Sequence, residues 1–268
     1  MPEGPEVKVI TDELNQCLKN NILKDFVVQG GRFIKKPIEN IDEFKSNLPL
    51  KINSVNCKGK FIWFDLENNW SIWNTLGMSG GWKKIQEKHS HVKLSTKDID
   101  LWFTDTRRFG TLKISNNPTE LKKKLESIGP DMLSDLKFTE TDFVKIIRKH
   151  NKKELPKVLM DQKIVSGIGN YIKAEALYES KISPLRKIKD ITDDELVNLF
   201  KSVRSIITKS YKCNGATIRN YSDLANNLGE YCFSFKVYNQ VLDSNGNKVF
   251  KTKTNDGRTT HWVSEIQK

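Results

Sequence analysis

The chain has few of the residues that usually form metal sites, and the ones it has are scattered. Its four cysteines stand at positions 17, 57, 213 and 232, without a Cys-x-x-Cys pair. His89 and His91 are not accompanied by a cysteine or a carboxylate pair. Structural zinc sites usually draw paired ligands from short spacings. We therefore expect no metal and no other cofactor, with reduced thiols in a cytosol-like compartment.

Long apolar runs and a signal peptide are absent as well. No run approaches the roughly 18 apolar residues of a membrane-spanning helix, so the sequence predicts a soluble intracellular protein that is not exported. The 37% apolar content, with 13 Phe and 6 Trp, is sufficient for a real core. A chain of 268 residues can form one large domain or two of ordinary size.

Arginine is scarce, with eight among 45 basic residues, although the formal net charge is +12. This excess favours a polyanionic partner, but a ribosome-associated or simply basic protein has the same composition. The scarcity makes each arginine's position informative. Four of the eight lie in the motifs described below: Arg107, Arg108, Arg219 and Arg258.

The opening residues, Met-Pro-Glu-Gly-Pro-Glu, contain the groups needed for amine catalysis. If Met1 is removed, Pro2 presents a secondary amine, and an α-amine titrates at about pH 7.7–8. With the Glu3 carboxylate beside it, such an amine can attack a carbonyl-like carbon and form an imine. A loose terminus that happens to begin Met-Pro would look the same, so the hexapeptide alone leaves both interpretations open.

Hydrophobic periodicity divides the chain into three parts. It predicts a first helix over 6–20, and then, over 22–115, the short aromatic and β-branched runs of a β-sandwich or barrel. After Gly129-Pro130 it predicts helices at about 139–150, 154–163, 170–180 and 192–213. From Phe233 onward it predicts strands over 233–238, 248–254 and 259–266, with a hairpin turn at Asn245-Gly246 and another turn at Asp256-Gly257.

The segment from Leu159 to Tyr171 indicates two helices joined by a tight glycine-containing turn. One helix should end near Lys163, and the next should begin at Asn170 after Gly-Ile-Gly. The apolar side of the second helix would consist of Tyr171, Ala174, Leu177 and Tyr178. The glycines permit close backbone approach, and a helix N-terminus can bind a phosphate. An ordinary helical hairpin would show a similar pattern.

Taken together, these motifs resemble the Fpg/Nei family of bifunctional DNA glycosylases. MPEGPE resembles the endonuclease VIII branch, LMDQKIVSGIGNYIKAEALY the family's helix–two-turn–helix, and LGMSG and TDTRRFG its β-domain loops. GRTTHW resembles the tip of the family's β-hairpin finger, which is a four-Cys zinc finger in many members. Here Val263 and Ile266 stand where cysteines would be expected and the first Cys pair is missing, as in the zincless finger of the endonuclease VIII-like 1 group.

The resemblance implies an α+β fold in three parts. These are an N-terminal β-sandwich flanked by helices over 1–129, a helical domain with the helix–two-turn–helix over 130–232, and a zincless β-hairpin finger over 233–268. DNA would lie in the cleft between the domains. Without a metal, the finger would depend on strand pairing and on aromatic residues such as Phe250 and Trp262.

The resemblance also implies catalytic roles for residues at the N-terminus. Pro2 would attack C1′ of the damaged nucleoside and displace the base, with Glu3 as the general acid–base partner. Glu6 would line the same pocket, and Lys60 would contact the phosphate near the lesion. The imine would permit β- and then δ-elimination, after the base has left the helix.

A second group of residues would hold the DNA. Met78, Arg107 and Phe109 match the family's wedge residues, which fill the space left by the flipped base. Contacts with phosphates are expected from Arg108, Gly169, Asn170 and Arg258. Arg219 belongs to a loop, over 214–221, that resembles the loop covering the flipped base in the Fpg branch.

The expected partner is double-stranded DNA with oxidised bases or abasic sites, bound by a monomer with no membrane association. The zincless finger favours oxidised pyrimidines and ring-opened purines as substrates, although the 214–221 loop resembles the Fpg branch. Two other interpretations remain. A non-catalytic damaged-DNA-binding relative would lack a competent Pro2 and Glu3, and an RNA-associated protein would not need Pro2, Glu3 and Lys60 together.

Overall fold

The computed structural model describes residues 2–216, 224 and 235–268, which fall into two compact units. The first unit comprises Met1–Ser127 and Cys213–Glu230, and the second comprises Ile128–Lys212 and Tyr231–Lys268. The chain therefore returns to its first unit after the long helix that ends at Lys212. No helix in the described part of the chain is both long and apolar enough to cross a bilayer.

An eight-stranded antiparallel sheet forms the first unit. Its strands in chain order are β1 (Ile22–Val28), β2 (Leu50–Lys58), β3 (Phe61–Leu66), β4 (Ser71–Thr75), β5 (Gly80–Lys83), β6 (Ser90–Thr96), β7 (Asp100–Asp105) and β8 (Thr111–Ser115). Across the sheet the order is β5-β7-β6-β1-β2-β3-β4-β8. The strands predicted between residues 22 and 115 are confirmed.

The sheet folds over on itself, and Trp82 marks the contact between its two halves. Trp82 lies on β5 at one edge of the sheet and is fully buried. Its Nε1–H donates to Asn74 Oδ1 on β4 at 3.1 Å, and its ring centroid lies 5.3 Å from that of Phe64 on β3. Since β5 is far from β3 and β4 in the sheet order, these contacts require two packed layers. The predicted β-sandwich is confirmed.

Among the described residues of the first unit, four helices accompany the sandwich: α1 (Gly4–Leu18), α2 (Arg32–Lys35), α3 (Ile41–Ser46) and α4 (Pro118–Glu126). A 3₁₀ turn covers Glu67–Asn69. Sequence analysis placed the first helix two residues too late and missed the other three. For α4 the signals were present, because Asn117 accepts the Thr119 and Glu120 N–H groups before Pro118 opens the helix.

The second unit contains α5 (Glu140–Arg148), α6 (Leu155–Leu159), α7 (Asn170–Glu179) and α8 (Asp193–Lys212), with a 3₁₀ turn at Ile188–Asp190. The helix predicted over 154–163 is wrong at its end, because α6 stops at Leu159. Beyond it the Asp161 carboxylate accepts the Lys163 N–H at 3.0 Å, and the Asp161 C=O accepts the Ile164 N–H at 2.9 Å. Such local bonds form a turn in place of a further helical turn.

Helix α7 is buried on every side, which corrects the prediction of an apolar face. All residues from Tyr171 to Tyr178 are buried, and Lys173 and Glu175 are among them. A helix with both charged and apolar residues inside needs a partner for each charge. The partners of Lys173 and Glu175 come from the C-terminal hairpin region.

The C-terminal hairpin consists of β9 (Phe250–Lys253) and β10 (Thr259–Trp262), which pair antiparallel with Trp262 opposite Phe250. The Phe250 and Trp262 ring centroids lie 6.0 Å apart, and Trp262 Nε1–H donates to Thr252 Oγ1. This geometry agrees with the expected reliance on strand pairing and aromatics.

The strand predicted over 233–238 is wrong. In the 233–238 segment, the described residues from Phe235 onward are irregular, because the backbone N–H groups of residues 236–238 donate to the Glu175 carboxylate and not to a strand. Asn245-Gly246 does form a turn, but the turn closes only a single bridge between Leu242 and Lys248. The turn of the hairpin is Asp256-Gly257.

Candidate DNA-binding and catalytic site

The N-terminus of α1 holds two buried carboxylates. Glu3 is the N-cap, Pro5 occupies the first turn, and Glu3 and Glu6 form a capping box. Glu6 Oε2 accepts the Glu3 N–H at 2.8 Å, and Glu6 Oε1 accepts the Ala216 N–H at 2.8 Å. Glu3 is 2% exposed and Glu6 is fully buried. Because both oxygens of Glu6 are held by backbone groups, the direction of the Pro2-Glu3 segment is fixed.

Lys60 lies at the same end of the sandwich as Pro2 and Glu3. Helix α1 runs antiparallel to β2, since Asn20 N–H donates to Ile52 C=O and Val55 N–H donates to Asn15 Oδ1. From Asn15 back to the helix start is about 16 Å at ~1.5 Å per residue. From Val55 forward to the Gly59-Lys60 turn is also about 16 Å at ~3.3 Å per residue. The half-buried Lys60 therefore belongs to the N-terminal end of α1.

Strand register brings two further loops to this end. Phe61, directly after Lys60, pairs with Thr75, and Thr75 pairs with Thr111. The loop after β4 carries Met78, and the loop before β8 carries Arg107, Arg108 and Phe109. Adjacent strands are only ~4.8 Å apart, so both loops lie beside the Gly59-Lys60 turn.

The two loops contact each other closely. Gly77 has φ +63°, and a Cβ built there would lie 2.7 Å from Gly110 N and from the Phe109 carbonyl carbon. The Arg107 guanidinium carbon lies 5.1 Å from the Phe109 ring centroid, within cation–π range. Met78 is half-buried, whereas Phe109 is 54% exposed. An exposed ring with a guanidinium over it, beside a methionine, forms a surface that could insert into a base stack.

Asp105 organises these loops, and sequence reasoning missed it. Its Oδ1 accepts from Ser79 Oγ at 2.6 Å and from the Arg107 N–H at 3.2 Å, and its Oδ2 accepts the Gly110 N–H at 2.7 Å. Asp105 is 1% exposed. The available signal was an aspartate directly before a polar turn that ends in glycine, since aspartate often accepts backbone N–H groups nearby.

Arg108 adopts a left-handed backbone conformation, with φ +59°, and its N–H donates to the Asp105 C=O at 3.3 Å. Its side chain is exposed. The structure thus places Arg108 with Arg107 in the first unit, whereas Gly169, Asn170 and Arg258 belong to the second unit.

In the second unit, the start of α7 meets the hairpin turn. Gly169 is the N-cap of α7, and its C=O accepts the Lys173 N–H at 2.9 Å. Asn170 Nδ2 donates to the Thr259 C=O at 3.0 Å, next to Arg258, whose side chain is exposed. The α7 N-terminus carries partial positive charge, which favours a phosphate. The predicted trio of Gly169, Asn170 and Arg258 is therefore one local group.

The hairpin has an apolar cluster where the resemblance would place zinc ligands. Val263 is fully buried and packs with Val237 and Val249, and Ile266 packs against the same cluster. No cysteine occurs after Cys232. Within residues 2–216, 224 and 235–268, no group of three or more His, Cys, Asp or Glu side chains could hold a metal ion.

The loop predicted to cover the flipped base is described only at its start. Asn214 and Gly215 have positive φ, and Ala216 is buried with its N–H on Glu6. Arg219 lies outside the described residues.

Comparison with known families covers almost the whole chain. Models of the formamidopyrimidine-DNA glycosylase N-terminal, H2TH and C-terminal domains match residues 1–112, 128–222 and 226–268. A formamidopyrimidine-DNA glycosylase of Listeria monocytogenes is 32% identical over 100% of both chains.

Solved structures give the same result. A mutant of the Lactococcus lactis Fpg in complex with DNA containing Fapy-dG has a TM-score of 0.87 and 27% identity, over 100% of both chains. The complex of L. lactis Fpg with abasic-site DNA also has a TM-score of 0.87 and 27% identity, over 99% of both chains. These matches confirm the α+β fold and the resemblance found in the motifs. The chain belongs to the formamidopyrimidine-DNA glycosylase family.

Proposed function

We propose that this protein is a base-excision DNA glycosylase with abasic-site lyase activity. It removes oxidised bases, both oxidised pyrimidines and ring-opened purines, from double-stranded DNA. The observation that carries this proposal is the gathering of Pro2, Glu3, Lys60 and the two wedge loops at one end of the sandwich. The relatives named above, two of them bound to DNA with Fapy-dG or an abasic site, support it.

The first step assigned to this end is nucleophilic displacement. Once Met1 is removed, the Pro2 nitrogen attacks C1′, and the glycosidic bond breaks as the base departs with its electron pair. The Glu3 carboxyl group protonates the sugar ring oxygen as the ring opens, which leaves an imine between Pro2 and C1′. The secondary amine of proline forms a cationic imine that needs no cofactor to withdraw electrons.

Strand cleavage follows from the acidity of the imine. Loss of a C2′ proton expels the 3′ phosphate by β-elimination, and a second elimination expels the 5′ phosphate. Water then hydrolyses the imine and returns the Pro2 amine. The backbone hydrogen bonds to Glu6 support these steps, because the Glu3 N–H on Glu6 fixes the peptide group that joins Pro2 to Glu3. Lys60 would neutralise the phosphate next to the lesion.

Base extrusion is assigned to Met78, Arg107 and Phe109. A stacked nucleotide shields C1′, so the lesion must leave the helix before attack. The ring of Phe109 and the side chain of Met78 would occupy the gap, while Arg107 would pair with the orphaned base. In the second unit, Gly169, Asn170 and Arg258 would hold phosphates, as would Arg108 in the first unit.

Two further assignments remain predictions. We propose Arg219 as a contact for the flipped base, and a division into a catalytic domain over 1–129, a helix–two-turn–helix domain over 130–232 and a finger over 233–268. The finger's apolar cluster supports a metal-free hairpin of the kind that the resemblance to endonuclease VIII-like 1 implies.

The experiment is cleavage of four end-labelled duplexes, which carry a ring-opened purine, an oxidised pyrimidine, an abasic site or no lesion. The proposal predicts cleavage of the first three, with phosphates on both sides of a one-nucleotide gap, and none of the undamaged duplex. Glu3→Gln should slow excision by about 10²–10⁴-fold while DNA binding persists. Tight binding to lesions without cleavage would instead identify a non-catalytic damage-binding protein.

A further inference from the structure

The Lys173–Asp256 ion pair is the most deeply buried of the ion pairs in the described residues. Lys173 Nζ lies 2.5 Å from Asp256 Oδ2, and the two side chains are 0% and 2% exposed. The other ion pairs found there have side chains at least 24% exposed. Lys173 lies on α7, and Asp256 lies in the hairpin turn.

Burying the Lys173 and Asp256 side chains costs free energy, because both ions lose their hydration. A well-packed apolar pair of similar volume is often as stable as a buried ion pair or more so. The pair is therefore poorly explained as a source of stability. The pair instead fixes the position of the hairpin turn on α7, because separating two buried charges would leave each of them without compensation.

The geometry concerns the hairpin turn just before Arg258, because Asp256 lies two residues before that arginine. Asp256 Oδ1 accepts the Arg258 N–H at 3.2 Å and the Thr254 hydroxyl at 2.5 Å. The Arg258 C=O in turn accepts the Thr254 N–H at 3.0 Å. One carboxylate thus binds the Arg258 backbone through one oxygen and α7 through the other.

Asn170 completes the arrangement from the start of the same helix. Its Nδ2 donates to the Thr259 C=O, one residue after Arg258, and Lys173 lies three residues further along α7. The hairpin turn is therefore attached to α7 on both sides of Arg258.

The rest of the hairpin region is also attached to α7 without metal. The Glu175 carboxylate accepts the N–H groups of residues 236–238 at 2.8–3.0 Å, and Tyr178 OH donates to Asp243 at 3.0 Å. These bonds lie at the base of the hairpin, whereas the Lys173–Asp256 pair, like the Asn170–Thr259 bond, reaches the turn region that carries Arg258.

We propose that Lys173 and Asp256 are a positioning pair, which sets the Arg258 guanidinium relative to the Asn170 end of α7 so that both engage the DNA backbone. This proposal rests on the proposed function, in which Arg258 and Asn170 contact phosphates. No cysteine follows Cys232, so the hairpin has no thiolate ligands for a metal. The Lys173–Asp256 pair instead attaches the hairpin turn to α7.

The test is the salt dependence of DNA binding. Each phosphate contact contributes about −0.9 to the slope of log K against log[salt] for duplex DNA. Lys173→Met, Asp256→Asn and Arg258→Ala should each make the slope shallower by about 0.9 and weaken binding by about tenfold. Arg258→Ala added to Asp256→Asn should change the slope no further.

The control is Lys236→Met, which breaks the exposed Lys236–Glu179 pair in the same unit by the same substitution. It should leave the slope within error of wild type. If Lys173→Met or Asp256→Asn fails to fold, Asp256→Glu provides a milder displacement of the turn and should still make the slope shallower.

A wild-type slope in folded Lys173→Met, Asp256→Asn or Asp256→Glu would overturn the proposal and leave the pair a purely structural contact. The proposed function has its own readout, because wild-type protein must cleave abasic DNA. If wild-type protein binds DNA without cleaving it, the proposed function is wrong. The salt slopes of the variants then still test whether Lys173 and Asp256 position Arg258.

Discussion

The carboxylate of Asp105 accepts a hydrogen bond from the Ser79 hydroxyl at 2.6 Å and thereby joins the two loops that carry Met78, Arg107 and Phe109, the residues we propose as the wedge. Its second oxygen accepts the Gly110 N–H, so the loop before β8 is held at both ends. The loop that carries the exposed side chains of Arg107 and Phe109 is thus held by a buried carboxylate whose two oxygens both accept hydrogen bonds.

Asp105→Asn should impair base excision more than cleavage at an abasic site. The carboxamide of asparagine has only one acceptor oxygen, so its NH₂ group must face either the Gly110 N–H or the Ser79 hydroxyl and the Arg107 N–H. In either orientation one backbone N–H group loses its acceptor. Such a loss costs about 1–3 kcal/mol. In the proposed mechanism the wedge assists extrusion of the base, whereas an abasic site has no base to extrude. Single-turnover rates on lesion and abasic duplexes measure the difference. Equal slowing on both substrates would show that Asp105 does not act through the wedge.

Gly77→Ala should destabilise the protein, while Gly81→Ala should not. Gly77 has φ +63° and no space for a Cβ against the loop before β8, whereas a Cβ at Gly81 meets nothing within 4 Å. The left-handed conformation alone costs about 1–2 kcal/mol for a residue with a side chain. Urea unfolding of both variants is the measurement. Equal unfolding midpoints for the two variants would contradict the close approach of the loops.

Phe109→Ala should weaken binding to lesion DNA without changing the stability of the free protein. The ring is 54% exposed, so its removal creates no cavity. Loss of an aromatic ring that stacks on a base costs about 1–3 kcal/mol, or roughly 5- to 150-fold in Kd. Ile85→Ala is the matched control, because Ile85 is a 67% exposed apolar residue of the same unit. Similar losses in both variants would show that exposed apolar area, and not the wedge, determines binding.

Acid should remove the contribution of Asp256 to stability. Burial raises the pKa of the Asp256 carboxyl, but hydrogen bonds from Lys173 and Thr254 and the Lys173 charge outweigh it, and the pKa is lowered overall. A carboxyl with a lowered folded-state pKa stabilises the fold above its unfolded pKa of about 3.9, and the effect is lost as pH falls through the folded value.

The stability difference between wild type and Asp256→Asn should therefore be constant between about pH 5 and 7 and shrink below about pH 4. Urea unfolding across this range measures it. His261, whose pKa is lowered by burial and by Lys251 and Lys173, also titrates but does so in both proteins. A difference that stays constant down to pH 2.5 would mean that the Asp256 carboxyl is not held ionised by Lys173.

Much of the fold could be predicted because local signals agreed with the final structure. The start of α7 at Asn170, the strands between 22 and 115 and the helix over 193–212 all follow from periodicity and glycine placement. The family resemblance rested on short motifs in which backbone geometry and chemistry coincide, such as Gly-Ile-Gly-Asn.

The failures lie where distant side chains determine local structure. Residues 235–238 have the composition of a strand, but the N–H groups of residues 236–238 donate to Glu175, which lies too far away in the sequence to be part of a local pattern. The burial of Lys173 inside α7 depends on Asp256, which is 83 residues away. Asp105 was missed because its partners Ser79 and Gly110 become neighbours only through the strand register.

We propose the Pro2 amine as the nucleophile, and borohydride trapping with mass spectrometry identifies the atom that attacks the sugar. Protein without Met1 is incubated with abasic-site duplex and borohydride, digested, and the modified peptide is identified. We expect the reduced sugar adduct on the N-terminal peptide, at the Pro2 nitrogen, and we expect that an N-terminally extended protein gives no adduct while it still binds DNA. An adduct on Lys60 or another lysine, or no adduct with the native N-terminus, would show that Pro2 is not the nucleophile.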